Sequence, residues 1–174
     1  MKMKKFDIII IGGGPAGIVT ASTAMKQYKD KSIALIQKEK KQPIPCGIPY
    51  IFHLLGDIEK NLMKRNVFND EGKNLFIGTV SVINTEKKYV EFASGERLGY
   101  EKLVLATGSR PLVPEFLKPD RFKAGIEYVS KNYSELEKLK EKTDSAKKLL
   151  FWVPALPQLK WQSNCPRKKA RKFI

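Results

Sequence analysis

Three short stretches carry the residue types that can do chemistry. The first is "IIGGGPAG", where Gly12, Gly14 and Gly17 stand in a G-x-G-x-x-G pattern. That pattern is informative only where it follows a strand, opens a helix and lies in a β-α-β unit, and all three conditions are expected here. Gly12 makes the tight turn, Gly14 lets the backbone approach a pyrophosphate, and Gly17 lets the helix pack closely on the strand. The helix that opens at Pro15 and Ala16 presents unpaired N–H groups and a partial positive charge to the phosphates. The bland alternative is a glycine-rich turn with no ligand. An acid at the end of the following strand would bond the ribose hydroxyls of such a nucleotide. Gln37 and Lys38 occupy that slot, with Glu39 just beyond. Gln37 can bond a hydroxyl, but without charge.

The second stretch is "PIPCGIPY", which holds Cys46. A cysteine at a helix N-terminus has its thiolate favoured by the helix dipole and by unpaired N–H groups, and a thiolate can attack a disulfide. The bland alternative is an inert buried thiol. The only histidine, His53, follows a turn or two later; it reads as a structural or half-exposed residue, and less readily as a proton donor. The third stretch is "YEKLVLATGSRP", in which Ala106, Thr107 and Gly108 close a strand.

The elements that must position these residues follow from periodicity. Residues 6–11 are a continuous apolar run, as in a parallel strand buried on both faces. A helix over roughly 15–28 and a second buried strand at 32–36 complete the β-α-β unit, which implies a parallel sheet. A helix through "YIFHLLG", ended by Gly56, is expected after Cys46. Strands are expected near 75–83, 88–93 and 102–106, with turns at "NTEKK" and "SGE". "NYSELEKLKEK" reads as a short helix, with Ser134 and Glu137 at capping-box spacing. The fold class is α/β: a Rossmann-like domain with a parallel sheet plus a small antiparallel β-meander.

Composition bounds the rest. The 174 residues suffice for one domain and a sizeable core. The formal charge is +15. Six of those charges (Lys160, Arg167, Lys168, Lys169, Arg171 and Lys172) fall after residue 150, where no acid offsets them. The other lysines mostly neighbour Glu and read as a solvated surface. Clustered cations can also bind nucleic acid by releasing counterions. No aromatic-and-basic platform, metal-ligand spacing or recognition-helix pattern appears before residue 150, so a basic nucleic-acid-binding protein stays only as an alternative. Two cysteines, Cys46 and Cys165, do not make a secreted disulfide framework, and a cytoplasmic location is expected. The opening "MKMKKFDIIII" mimics a signal peptide, but its apolar run is short and broken by glycines. No stretch is long enough to span a membrane.

Taken in order, the glycine turn, "PCGIPY" and "YEKLVLATGSRP" resemble the FAD-dependent pyridine nucleotide-disulfide oxidoreductases over roughly residues 5–150. The single-cysteine branch is the nearest: CoA-disulfide reductases, NADH oxidases, NADH peroxidases and persulfide reductases. The resemblance implies that the first β-α-β unit binds FAD, that Ala106, Thr107 and Gly108 form a second FAD-contacting loop, and that Cys46 is the redox centre. NAD(P)H would supply the reducing equivalents, and a small-molecule disulfide, a persulfide or dioxygen would receive them. Dithiol members carry a second Cys a few residues on, but positions 47–53 here hold none. Peroxidase members carry a His in the glycine turn, near the position of Pro15. Family members are homodimers whose dimerisation domain lies further along the chain. Three readings stay open beside disulfide reduction: an NADH oxidase-type fragment, a stand-alone flavin- or nucleotide-binding module, and the nucleic-acid alternative.

The last residues break the pattern. Family members continue with a buried strand and a second glycine turn, which binds NAD(P)H. This chain has "LFWVPALPQLKWQSNC" instead. Reading from the third base of each codon, Trp152–Val153 must yield Gly, Trp161–Gln162 must yield Ala, and Asn164–Cys165 must yield Leu. With permitted codons the stretch can read "LGAGFAAVEMAEQL", a second strand-to-helix glycine turn. The expectation is therefore an FAD-binding portion over 1–149, incomplete relative to the family. The basic tail over 150–174 would then be an out-of-frame remnant of the NAD(P)H-binding domain. The alternative is a genuine basic tail. On the first reading the chain is truncated and inactive, and Cys165 has no role.

Overall fold

The computed structural model describes residues 3–64, 74–110, 115 and 126–146. The tail expected at 150–174 lies outside the described residues, and Cys165 with it. The chain divides into two compact units: Met1–Ile44 with Met63–Arg110, and Pro45–Leu62 with Pro111–Ile174.

Among the described residues the first unit holds six strands and one helix: β1 (Lys4–Ile11), α1 (Pro15–Gln27), β2 (Ile33–Gln37), β3 (Leu75–Ile77), β4 (Val80–Asn84), β5 (Tyr89–Phe92) and β6 (Arg97–Leu105). They form one sheet in the order β3-β2-β1-β6-β5-β4. The first four run parallel, with Ile10 opposite Leu35 on one side and opposite Val104 on the other. β5 and β4 extend the sheet antiparallel from β6. The meander is thus continuous with the parallel sheet, because β6 is long enough to serve both. Its residues from Leu98 on pair with β1, while Arg97–Gly99 pair with β5.

The apolar runs account for the central position of β1 and β2. Ile9, Ile10, Leu35 and Ile36 are all removed from water, each contributing about 1.5–3 kcal/mol. A strand with both faces covered needs no alternation. On one face, α1 brings Ile18, Ala21 and Ala24 against Ile10, Ile33 and Leu35. Gly17, Ile18, Ala21 and Ala24 make a single helical stripe of mostly small residues. The other core joins Ile9, Ile36 and Phe76 to Val90, Phe92 and Leu98 of the meander. The expected single strand at 75–83 is two strands. Gly78 interrupts it where a Cβ would stand 2.8 Å from the Phe92 ring.

Asp7, on β1, is tied to the segment just before β2. The Ser32 N–H donates to its carboxylate at 2.8 Å, and the Ser32 hydroxyl does so at 2.6 Å. The Asp7 N–H in turn donates to the Ser32 hydroxyl. These bonds, with Lys31 3.4 Å away, lower the carboxyl from 3.8 to about 2. A lowered folded-state value means that the contribution is whole above the unfolded value, and it disappears as pH falls through the folded one. Acid titration of the fold, followed by circular dichroism, should therefore show a loss of stability as pH drops from 3.8 toward about 2. Asp7→Asn should make that loss smaller, since the contribution of this one carboxylate is then absent at every pH.

The second unit contains α2 (Ile48–Ile51) and α3 (Tyr133–Ser145). Ile48, Ile51 and Ile58 pack on Leu136 and Leu139 of α3. The helix expected through "YIFHLLG" is shorter than the sequence implied. Its regular part ends at Ile51, and the Tyr50 carbonyl accepts from both the His53 and the Leu55 N–H. Those bonds close turns that run on to Gly56, at φ +66°. The capping box expected from Ser134 and Glu137 is also displaced. The N-cap is Asn132, whose side-chain amide donates to the Glu135 carboxylate at 3.1 Å. Starting the helix there aligns Leu136 and Leu139 with the apolar cluster.

Candidate functional site

The carboxyl ends of β1, β2 and β6 meet at the glycine turn. The Gly12 N–H donates to the Ile36 carbonyl, and the Ala106 N–H donates to the Ile11 carbonyl, each at 2.8 Å. The chain passes from β1 to β2 on one side of β1 and returns through β6 on the other. The crevice between β1 and β6 is therefore a topological switch point, where open α/β sheets bind their ligands.

The three glycines expected to matter have different surroundings. Gly12 has φ +125°, and a Cβ there would lie 2.0 Å from the Ala106 carbonyl oxygen and 3.1 Å from the Thr107 nitrogen. A Cβ on Gly17 would lie 1.7 Å from the Gly12 carbonyl oxygen and 3.5 Å from the Ala106 Cβ. Gly17 thus lets α1 seat on the turn itself as well as against the end of β6. Gly14, by contrast, has nothing within 4 Å of a Cβ position. It caps α1, with Pro15 following. Pro15 brings no N–H, and the Ala16 and Gly17 N–H groups have no intrahelical acceptor; the Ile18 N–H is the first to bond back, to the Gly14 carbonyl at 3.0 Å. Backbone donors beside an open approach are the chemistry that a pyrophosphate requires, so these residues fit a dinucleotide. Thr107 and Gly108 are exposed beside the turn, with Gly108 at φ +76°.

Gln37 has a different placement. Its side chain is 1% exposed, and its amide nitrogen donates to the Glu39 carbonyl at 2.5 Å and the Lys40 carbonyl at 3.3 Å. Its Oε1 is buried and has no hydrogen-bond partner among the described residues. Lys38 is exposed, and Glu39 is half-buried. Gly13, the middle glycine of the run, was not singled out by the dinucleotide pattern. A Cβ there would stand 2.6 Å from both Cβ and Oε1 of Gln37. The extra glycine at position 13, inside the run, was the only trace of this contact in the sequence.

In the second unit, Cys46 is exposed and is the one free cysteine among the described residues. It lies in a 3-10 turn, Pro45–Gly47, that leads directly into α2. α2 is a single turn long and aligns too few peptide dipoles to build the macrodipole expected at this thiol. The fixed geometry comes instead from packing. A Cβ on Gly47 would lie 1.8 Å from Oδ1 of Asn61, which is 3% exposed. This long-range fit has no local sequence signature. His53 is exposed in the turns after α2. Among the described residues no group of His, Cys, Asp and Glu is arranged to hold a metal ion, and no helix is long and apolar enough to cross a membrane.

The glycine turn, the switch point and the open helix start define a Rossmann-like dinucleotide-binding module. The sequence profile of the pyridine nucleotide-disulphide oxidoreductases matches residues 6–150, and the chain belongs to that family. Membership implies FAD and NAD(P)H as cofactors. The chain is 36% identical over 115 residues to an NADH oxidase of Methanocaldococcus jannaschii, covering 61% of this chain and 26% of that protein. It is 30% identical over 152 residues to a 3-phenylpropionate/cinnamic acid dioxygenase ferredoxin--NAD(+) reductase component of Photorhabdus laumondii, covering 86% and 38%. Among solved structures, NADH:rubredoxin oxidoreductase from Clostridium acetobutylicum superposes with a TM-score of 0.64 at 26% identity, over 84% of this chain and 38% of that one. The chain therefore spans well under half the length of these relatives.

Proposed function

We propose that this chain is the N-terminal FAD-binding portion of an NAD(P)H-dependent flavoenzyme that reduces a small disulfide or persulfide. The observation that carries the reading is the closure of Gly12 and Gly17 on Ala106 and Gly12 O beside an open Gly14. On this reading the backbone of Gly12, Gly14, Pro15, Ala16 and Gly17 cradles the pyrophosphate of FAD. Ala106, Thr107 and Gly108 line the same mouth, with Lys38 at its rim. Bound flavin supplies two-electron transfer from NAD(P)H. Cys46 supplies the nucleophile, and its exposure supports access for a substrate. The NADH oxidase relatives support a second reading, with dioxygen as the acceptor.

The tail over 150–174 is read as the out-of-frame remnant of an NAD(P)H-binding domain, which makes the 174-residue chain inactive by itself. The three forced shifted-frame residues support this. A homodimer and a cytoplasmic site are proposed for the complete protein. The test has two parts. The nucleotide sequence across codons 145–174 should allow "LGAGFAAVEMAEQL" and continue into an open frame. The 174-residue chain should purify with little flavin, while the protein extended in that frame should be stoichiometrically yellow. Codons that force other residues would remove the frame reading. A stoichiometrically yellow 174-residue chain would instead make it a stand-alone flavin module. An extended, folded protein without flavin would remove the FAD reading.

A further inference from the structure

Resting on the nucleotide-binding reading above, we propose that Gln37 is a positioning residue. It clasps the glycine turn to the segment after β2, and it does not contact the ribose. An acid at the end of the second strand would face the ribose hydroxyls. Gln37 occupies that register but points inward. Its amide N–H groups are directed at the Glu39 and Lys40 carbonyls, which can only accept, so the orientation of the amide is fixed. Its side-chain oxygen and Cβ fill the space that a side chain on Gly13 would need. Its own carbonyl accepts from the Gly78 N–H at 2.9 Å, which ties the end of β3 to the same point. With 1% of its surface exposed, Gln37 offers no open face to a ligand arriving from solvent, and its one unpartnered atom, Oε1, lies against Gly13. It holds Gly13, and through Gly13 the neighbouring Gly14, where the phosphates approach.

The sign of one substitution separates this role from a ribose contact. Glu at position 37 would aim a carboxylate oxygen at two carbonyl oxygens in a buried slot. A clasp is weakened by that change, whereas a ribose acceptor is strengthened by it. The experiment is calorimetric titration of the 174-residue chain and its Gln37→Glu and Gln37→Met variants with ADP and 2′-deoxy-ADP. It is run at a temperature where circular dichroism shows each protein folded. The expected result is about tenfold weaker ADP binding in Gln37→Glu, and a smaller loss in Gln37→Met, scaled to one or two lost hydrogen bonds. The ratio of 2′-deoxy-ADP to ADP affinity should be the same in wild type and Gln37→Met. Tighter ADP binding in Gln37→Glu, or a ratio that collapses in Gln37→Met, would make Gln37 a ribose ligand and overturn the proposal. Lower melting temperatures with unchanged affinities would reduce it to a fold-only role and also overturn it. The wild-type chain supplies an arm that no variant can spoil. Its affinities for ADP and 2′-deoxy-ADP should agree within about threefold, less than the loss of one well-made hydrogen bond, and a larger difference counts against the clasp. Absence of ADP binding by the folded wild type and of flavin in the folded protein extended in the restored frame would together remove the nucleotide-binding reading itself.

Discussion

Gly12→Ala should unfold the nucleotide-binding unit, while Gly14→Ala should leave it folded and impair only ligand binding. At Gly12 two costs combine. A side chain at φ +125° is strained, by about 1–2 kcal/mol even in the milder left-handed helical region. The new methyl also falls 2.0 Å from the Ala106 carbonyl oxygen and 2.5 Å from its carbon. Those atoms are backbone at the end of β6, held by the Ala106 N–H bond to Ile11, so relief requires β1 and β6 to separate. A loss of more than about 4 kcal/mol is expected, a large fraction of the stability of an ordinary domain. At Gly14 neither cost arises. Its φ of −75° and ψ of −178° suit alanine, and the methyl meets nothing within 4 Å. The poorer N-cap and the stiffer unfolded chain offset one another to within about 0.5 kcal/mol. The methyl does stand where phosphate oxygens must come within hydrogen-bond reach, and ADP affinity should fall by about tenfold or more. Urea unfolding followed by circular dichroism, with ADP titration of whatever remains folded, measures both effects. A Gly12→Ala loss below about 1 kcal/mol would show that the turn yields and that the close approach is not a constraint.

The contrast between these two glycines marks how far the sequence could be read. The G-x-G-x-x-G spacing located the turn, and the apolar run of β1 located the strand beneath it, because both signals are local. That Gly12 faces Ala106 depends on the chain returning, 94 positions later, through β6 to the other side of β1. The "ATG" segment hinted at this only through its place in a family pattern. Gln37 shows the limit more sharply. Its register at the strand end was legible, but its direction was not. The choice between facing a ligand and facing its own loop is made by two carbonyls and by the absence of a Cβ on Gly13. The meander shows a similar gap. Turn residues placed its strands, while its continuity with the parallel sheet rests on the length of β6. Around Cys46, the short motif suggested a helix N-terminus, but the observed anchor is the distant fit of Gly47 to Asn61.

Cys46→Ser should abolish thiol chemistry at the Pro45–Gly47 turn without cost to the fold around it. The thiol is exposed, and isosteric changes at exposed positions ordinarily stay within about 0.5 kcal/mol. With excess glutathione disulfide, the Cys46 thiolate attacks one sulfur. The S–S bond breaks, a mixed disulfide forms on the protein, and the other half leaves as a thiolate that takes a proton from water. Peptide mass mapping should find the glutathione adduct on the peptide containing Cys46 in wild type. In Cys46→Ser it should find none there, with any remaining adduct confined to Cys165. In a protein extended to include a pyridine-nucleotide domain, the same substitution should lower disulfide-reducing turnover by about a thousandfold or more, as expected for loss of a covalent nucleophile. Undiminished disulfide turnover in that extended Cys46→Ser protein would remove Cys46 from the chemistry. Loss of disulfide turnover with NADH-dependent dioxygen consumption retained would assign the thiol to the disulfide acceptor alone and leave the flavin site as the locus of the oxidase reaction.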